Sequence, residues 1–162
     1  MEQTIPTSGR LLGLDYGSRR IGIAVSDTDQ SIASPLETRH RRGMEADARF
    51  FESLAAEYTV AGLVVGLPVH MSGDEGEQAR EARAFGEWLS EITGCPVDWQ
   101  DERYTSVMAQ DLMQDAGLSR KLRRTLVDKL AARMLLQAWI DRRVQGNTGP
   151  PGPLFDAATD DD

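Results

Sequence analysis

Apolar and polar positions along the chain divide it into short runs that alternate in kind. Leu11-Leu-Gly-Leu14 is an apolar run that ends in one acid, Asp15. Tyr16-Gly17-Ser18 turns the chain, and a second apolar run, Ile21 to Val25, follows before Asp27. This pattern predicts a β-hairpin whose first strand carries a carboxylate in buried sequence. Gln30 to Thr38 predicts a third, shorter strand at the sheet edge, where Pro35 is tolerated. Arg39 to Gly43 reads as a polar turn. Glu45 to Tyr58 has the helical period, with Phe50, Phe51, Leu54 and Ala55 on its apolar side.

Ala61-Gly-Leu-Val-Val65 is continuous, β-branched and bounded by Gly66, the pattern of a parallel strand buried on both faces. Gly66 to Gly73 reads as a loop that borders a cleft. Asp74 to Thr93 predicts a helix stopped by Gly94. Pro96 to Glu102 predicts the last strand. Thr105 to Ala116 predicts a helix between a Thr105 cap and Gly117. Ser119 to Thr125 fits a basic loop or a fraying helix end. Leu126 to Arg143 predicts the final helix, with Val127, Leu130, Ala131, Met134 and Ala138 on one stripe.

The order β-β-β-α-β-α-β-α-α predicts an α/β fold. Its mixed five-stranded sheet has three antiparallel strands, then alternating strand and helix, with helices on both faces. One domain is expected over residues 11–143. Residues 1–10 form an N-terminal extension, and 144–162 an acidic Pro/Gly tail without ordered structure.

Composition narrows the function. Of the 162 residues, 40% are hydrophobic, enough for a core. No run approaches the roughly 18 apolar residues of a membrane span. The start of the chain lacks the apolar core of a signal peptide, so a cytoplasmic protein is expected. One cysteine, Cys95, excludes an internal disulfide, and His40 and His70 are too scattered for a histidine site. A metal would therefore be held by carboxylates, which favours Mg²⁺ or Mn²⁺.

The net charge of −8 speaks against nucleic acid only until it is located. Asp156, Asp160, Asp161 and Asp162 give the tail −4. Leu118 to Arg133 is locally +5, from Arg120, Lys121, Arg123, Arg124, Lys129 and Arg133 against Asp128. Arg39, His40, Arg41 and Arg42 form a second cluster. Local patches set phosphate affinity, although a solvated helix face would carry the same charges.

Three separate segments each bring an acid to the end of an element: Asp15, the pair Asp101 and Glu102, and Asp128. Burying a carboxylate is costly without a partner. Clustered carboxylates raise one another's pKa, and a divalent ion relieves that cost. Each acid also has an ordinary explanation. Asp15 would cap its turn, Asp101 or Glu102 would pair with Arg103, and Asp128 would complement a helix end or pair with Lys129 or Arg124. Strand alternation lets only one of Asp101 and Glu102 face the site, and alternation alone leaves open which.

Four motifs in order carry a family resemblance. They are Leu14-Asp-Tyr-Gly17 with Ile21 to Asp27, Val65-Gly-Leu-Pro68 with Met71-Ser-Gly73, Asp101-Glu-Arg-Tyr-Thr-Ser106, and Val127-Asp-Lys-Leu-Ala-Ala132. From about Leu11 to Arg142 the chain resembles the YqgF-type, or RuvX-like, family of RNase H-like nucleases. The resemblance implies an RNase H-like fold and a nuclease that processes the 5′ end of pre-16S rRNA. An older assignment in the family is a Holliday-junction resolvase acting on DNA. It also implies Asp15, Glu102 and Asp128 as metal-binding catalytic carboxylates, with Asp101 as an adjacent candidate. The fourth carboxylate of some resolvase relatives would sit near Asp128, where Lys129 to Ala132 contain no acid.

The expected enzyme is thus a hydrolase of phosphodiester bonds, dependent on Mg²⁺ or Mn²⁺. Its partner is structured RNA or branched DNA, gripped by Arg120, Lys121, Arg123 and Arg124. Monomer and homodimer both fit. Two other classes stay open on the residues alone. One is an actin-like nucleotide-binding module using Asp15 to Ser18 as a phosphate turn. The other is a non-catalytic nucleic-acid-binding factor on the same fold.

Overall fold

The computed structural model describes residues 4–68, 76–102 and 119–146. Strand β1 (Arg10–Asp15) pairs antiparallel with β2 (Arg20–Ser26), and β2 with β3 (Ala33–His40). Strand β4 (Val60–Leu67) lies parallel to β1, and β5 (Val97–Asp101) parallel to β4. The sheet order is β3-β2-β1-β4-β5. Among the described residues three helices cover it: α1 (Met44–Glu57), α2 (Glu77–Thr93) and α3 (Arg120–Val144).

Side-chain alternation divides the sheet into two faces. Leu12, Leu14, Ile23, Leu63 and Val65 join Phe51, Leu54, Phe85 and Leu89 in a core under α1 and α2. Leu11, Ala24 and Val64 pack on Ala132, Leu135, Leu136, Trp139 and Ile140 of α3. Helices therefore lie on both faces. Close packing of α3 depends on small residues in the sheet. A Cβ on Gly13 would stand 2.6 Å from that of Leu136.

The structure shifts several expected boundaries. Helix α3 begins at Arg120, not Leu126. The hydroxyl of Ser119 accepts from the Leu122 N–H at 3.2 Å and caps it. The basic stretch is thus the first turn and more of a long helix. Strand β3 runs to His40, because Arg39 and His40 pair with Ile21 and Arg20. It starts late, since the Asp27 carboxylate accepts from the N–H groups of Ser31 and Ile32 and closes a turn there. Gly66 lies inside β4. Ile5, expected in an extension, is buried in the α3 core. Arg143 donates to the carbonyls of Ile5 and Pro6 and holds that segment down. The expected helix Thr105 to Ala116, most of the loop ending at Gly73 and the tail from residue 147 lie outside the described residues. Among the described residues no helix is long and apolar enough to cross a membrane.

Candidate active site

Asp15 is the last residue of β1 and shares its face with Leu11 and Gly13, the face under α3. On β5 the same face is marked by Asp98, which accepts from Trp139 Nε1 at 2.9 Å, and by Gln100, which accepts from Arg142 at 2.8 Å. Two residues on is Glu102, whose N–H donates to the Leu67 carbonyl at 3.1 Å and prolongs the ladder. Parity thus puts Glu102 on Asp15's face. It puts Asp101 on the other, with Trp99, which packs against Gly86 of α2.

Strand β4 separates β1 from β5, yet the Asp15 and Glu102 side chains are hydrogen-bonded to each other. Gly66 makes this reach possible. A Cβ there would stand 2.7 Å from Glu102 Oε2 and 2.7 Å from Leu135 Cδ2. Two carboxyl groups can share a hydrogen bond only if one keeps a proton. Burial, the Asp15 charge, the shared bond and the Asp101 charge all push Glu102 far above the usual carboxylate range. Burial raises Asp15 to about 6, with accepting from Glu102 and the Arg20 charge opposing it and Asp128 adding to it. The pair therefore holds one shared proton above the usual carboxylate range.

Asp128 reaches this face from α3. Its carbonyl lies over Gly22, the residue opposite Asp15 in the β1–β2 ladder. Its carboxylate accepts from Arg20 Nε at 2.5 Å. Asp128 lies more than two turns into α3, too deep to complement the helix end. Its observed partner, Arg20, differs from the Lys129 or Arg124 suggested by proximity in sequence.

The structure thus brings together Asp15 and Glu102 as a bonded pair. Asp128 stands close enough for its charge to act on Asp15, while its carboxylate turns to Arg20. Among the described residues no three His, Cys, Asp or Glu side chains are grouped so as to hold an ion as they stand. The donor set nevertheless suits a hard divalent ion. Glu102 Oε2 is buried with no hydrogen-bond partner among the described residues, and the adjoining donors are all carboxylate oxygens.

The two basic clusters have different fates. Arg120 and Arg124 are exposed on the first turns of α3, Arg123 is half-buried, and Lys121 shares that helical segment. Four cations with no acid at a helix start oppose the macrodipole, so packing further along must hold the helix. The Arg39 cluster is partly offset by one acid. Asp47, fully buried, accepts from Arg39 at 3.0 Å, from Arg41 at 3.5 Å and from the Arg42 N–H at 3.1 Å. Arg41 also donates to the Tyr16 hydroxyl at 3.3 Å, and so ties the β1–β2 turn to α1.

Sequence reasoning did not single out Arg20, Gly22 or Asp47. For Gly22 a signal existed: glycine inside a β-branched strand run marks close approach of another backbone. Arg20 and Asp47 carried no such mark.

Comparison with known proteins gives a consistent result. The family model described as "RuvX: Holliday junction resolvase" matches residues 9–142. A protein of Rhodobacter capsulatus named "Putative pre-16S rRNA nuclease" is 45% identical over 138 residues, covering 85% of this chain and 87% of that one. One of the same name from Rhodopirellula baltica is 41% identical over 140 residues, covering 86% of this chain and 81% of that one. Among solved structures, Thermus thermophilus RuvC in complex with Holliday junction substrate superposes with a TM-score of 0.54 at 16% identity, covering 88% of this chain and 99% of that one. The Fowlpox virus resolvase in complex with Holliday junction DNA gives 0.53 at 9% identity, with 83% and 99% covered. At these identities the likeness is one of fold.

Proposed function

The chain belongs to the RuvX family, and from that premise we propose that it is a cytoplasmic, metal-dependent nuclease that hydrolyses phosphodiester bonds in pre-16S rRNA near its 5′ end. The observation that carries this reading is the Asp15–Glu102 pair, bonded across Gly66, with Glu102 buried and one of its oxygens unpartnered among the described residues. A phosphate-contacting turn would give Asp15 no reason to meet Glu102. A binding factor without catalysis would have no use for a proton shared between a buried acid and its half-buried neighbour.

Asp15, Glu102 and Asp128 would hold Mg²⁺ or Mn²⁺. Such an ion supplies Lewis acidity and lowers the pKa of water near neutrality. The protein's own part is to place the acids on one face and to exclude bulk water with α3. To hold the ion, the Asp15–Glu102 pair would have to release its proton to solvent, and Asp15, Glu102 and Asp128 would then orient the attacking water toward phosphorus. Arg120, Lys121, Arg123 and Arg124 hold the phosphate backbone by charge, largely without reading sequence.

A second reading, cleavage of branched DNA, is favoured by the family's description and by the fold shared with RuvC. Incubating the protein with an rRNA precursor and with four-way DNA junctions separates the two. Each substrate is tested with Mn²⁺, with Mg²⁺ and with EDTA. Cleavage of the precursor is expected with either ion and is lost in EDTA and in E102Q. Cleavage of the junction alone would favour the second reading, and cleavage of neither would refute both.

A further inference from the structure

Arg20 opens β2 at the rim of the acid cluster and acts on two of its members. Its Nε donates to Asp128 Oδ2 at 2.5 Å, and its charge helps keep Asp15 ionised. Asp128 has little freedom to leave by a backbone movement. Its carbonyl oxygen lies 2.0 Å from where a Cβ on Gly22 would stand, so helix and strand are in close contact there. Only side-chain rotation can redirect the carboxylate. As it stands, that carboxylate is spent on Arg20, and among the described residues no ion-holding trio exists.

We infer that Arg20 is a built-in counter-ion for Asp128, which a divalent cation must displace, and that the Arg20–Asp128 pair thereby sets the affinity of the site for metal. The inference rests on the metal site proposed above. The pair is only partly buried, with the two side chains 28% and 18% exposed, so it can open without stranding an ion in a dry interior. A guanidinium also returns readily to a carboxylate, since its donors are fixed in a planar fork. Without metal, Arg20 spares Asp128 from facing Asp15 unscreened. With metal, that neutralising task passes to the ion. Arg20 is then a positioning residue, acting through Asp128.

The test is calorimetric titration of Mn²⁺ into the full chain without nucleic acid, comparing wild type, R20Q, D128N, the double variant and E102Q. R20Q should bind Mn²⁺ about three- to tenfold more tightly than wild type, the fold-change that corresponds to a partly exposed ion pair. In the D128N background the same substitution should change affinity by less than about twofold, because only through-space repulsion is left to remove. A merely structural Arg20 would not show this dependence on Asp128. Should R20Q fail to fold, R20K keeps the charge without the planar fork, and is expected to shift affinity the same way by a smaller factor. Equal or weaker binding in R20Q, or in R20K where R20Q does not fold, overturns the inference. If E102Q has then lost binding, the metal site itself stands. Absence of Mn²⁺ binding to wild type overturns both.

Discussion

The carbonyl of Asp128 rests directly on Gly22, so closely that a Cβ on that glycine would fall 2.0 Å from the oxygen. Gly22 is also the ladder partner of Asp15. One glycine therefore sets the distance between an acid on α3 and an acid on β1. G22A should push α3 off the sheet. The expected loss is about 1–3 kcal/mol, the usual cost of forcing an extra methyl group into packed structure. Activity should fall more steeply than stability, because the acids separate even if the fold survives. Urea unfolding beside a cleavage assay checks this, and a variant as stable and active as wild type would contradict it.

Gly66 should be equally intolerant for a different reason. Its missing side chain is the passage through which Glu102 meets Asp15, with a Cβ there only 2.7 Å from Glu102 Oε2. G66A is expected to displace the carboxylate and to match E102Q in lost turnover. D101N should keep most activity, since Asp101 lies on the α2 face and acts on Glu102 through its charge. Single-turnover rates for the three variants give the comparison. An inactive D101N beside an active E102Q would reverse the assignment of faces.

Much of this arrangement is legible in the sequence, and the illegible part has physical causes. A lone acid ending an apolar run located Asp15, and alternation along β5 showed that only one of Asp101 and Glu102 could face the site, while the choice of Glu102 came from the family motif. The apolar run at Ala61 to Val65 marked a strand buried on both faces. The start of α3 was obscured because Arg120, Lys121, Arg123 and Arg124 are the wrong charges for a helix N-terminus. Packing of the distant residues Ala132 to Ile140 outweighs that local preference. Asp128's partner was beyond local reasoning, as 108 positions separate it from Arg20. Asp47 lies in the first turn of α1, where an acid is ordinary, and only the tertiary structure shows it buried against Arg39 and Arg41.

The buried acids should leave a mark on stability. In the folded protein Asp15 titrates at about 6 instead of 3.8, and Glu102 is displaced further in the same direction. Below about pH 4 these groups are protonated whether the chain is folded or not, and their contribution is intact. As pH rises through about 6 the unfolded chain ionises freely while the folded one resists, so stability is lost. In EDTA, the melting temperature of wild type should therefore fall from pH 4 to pH 8 more steeply than that of D15N or E102Q. Mn²⁺ should flatten the wild-type slope. Asp27 works oppositely but elsewhere. Its folded value of about 2 makes its contribution disappear only under stronger acid. Identical slopes for wild type and both variants would show that the pair imposes no burden.

Arg120 and Arg124 offer the most direct test of the proposed nucleic-acid surface. Both are exposed on the first turns of α3, and among the described residues neither is held in an ion pair. The Arg39 cluster serves as an internal contrast, because Arg39 and Arg41 are already paired with Asp47. Replacing Arg120 and Arg124 by Ala should weaken binding to RNA and to DNA alike, since phosphate contacts carry no sequence information. Each lost contact should lower the slope of log K against log salt by about 0.7–0.9. Neither residue supports the core, so the melting temperature should stay close to that of wild type. R39A should do the reverse, costing stability by leaving Asp47 with less compensation while changing the salt slope little. Binding isotherms at several salt concentrations decide the matter. An unchanged slope in the Arg120/Arg124 variant would mean that the substrate lies along another face of the sheet.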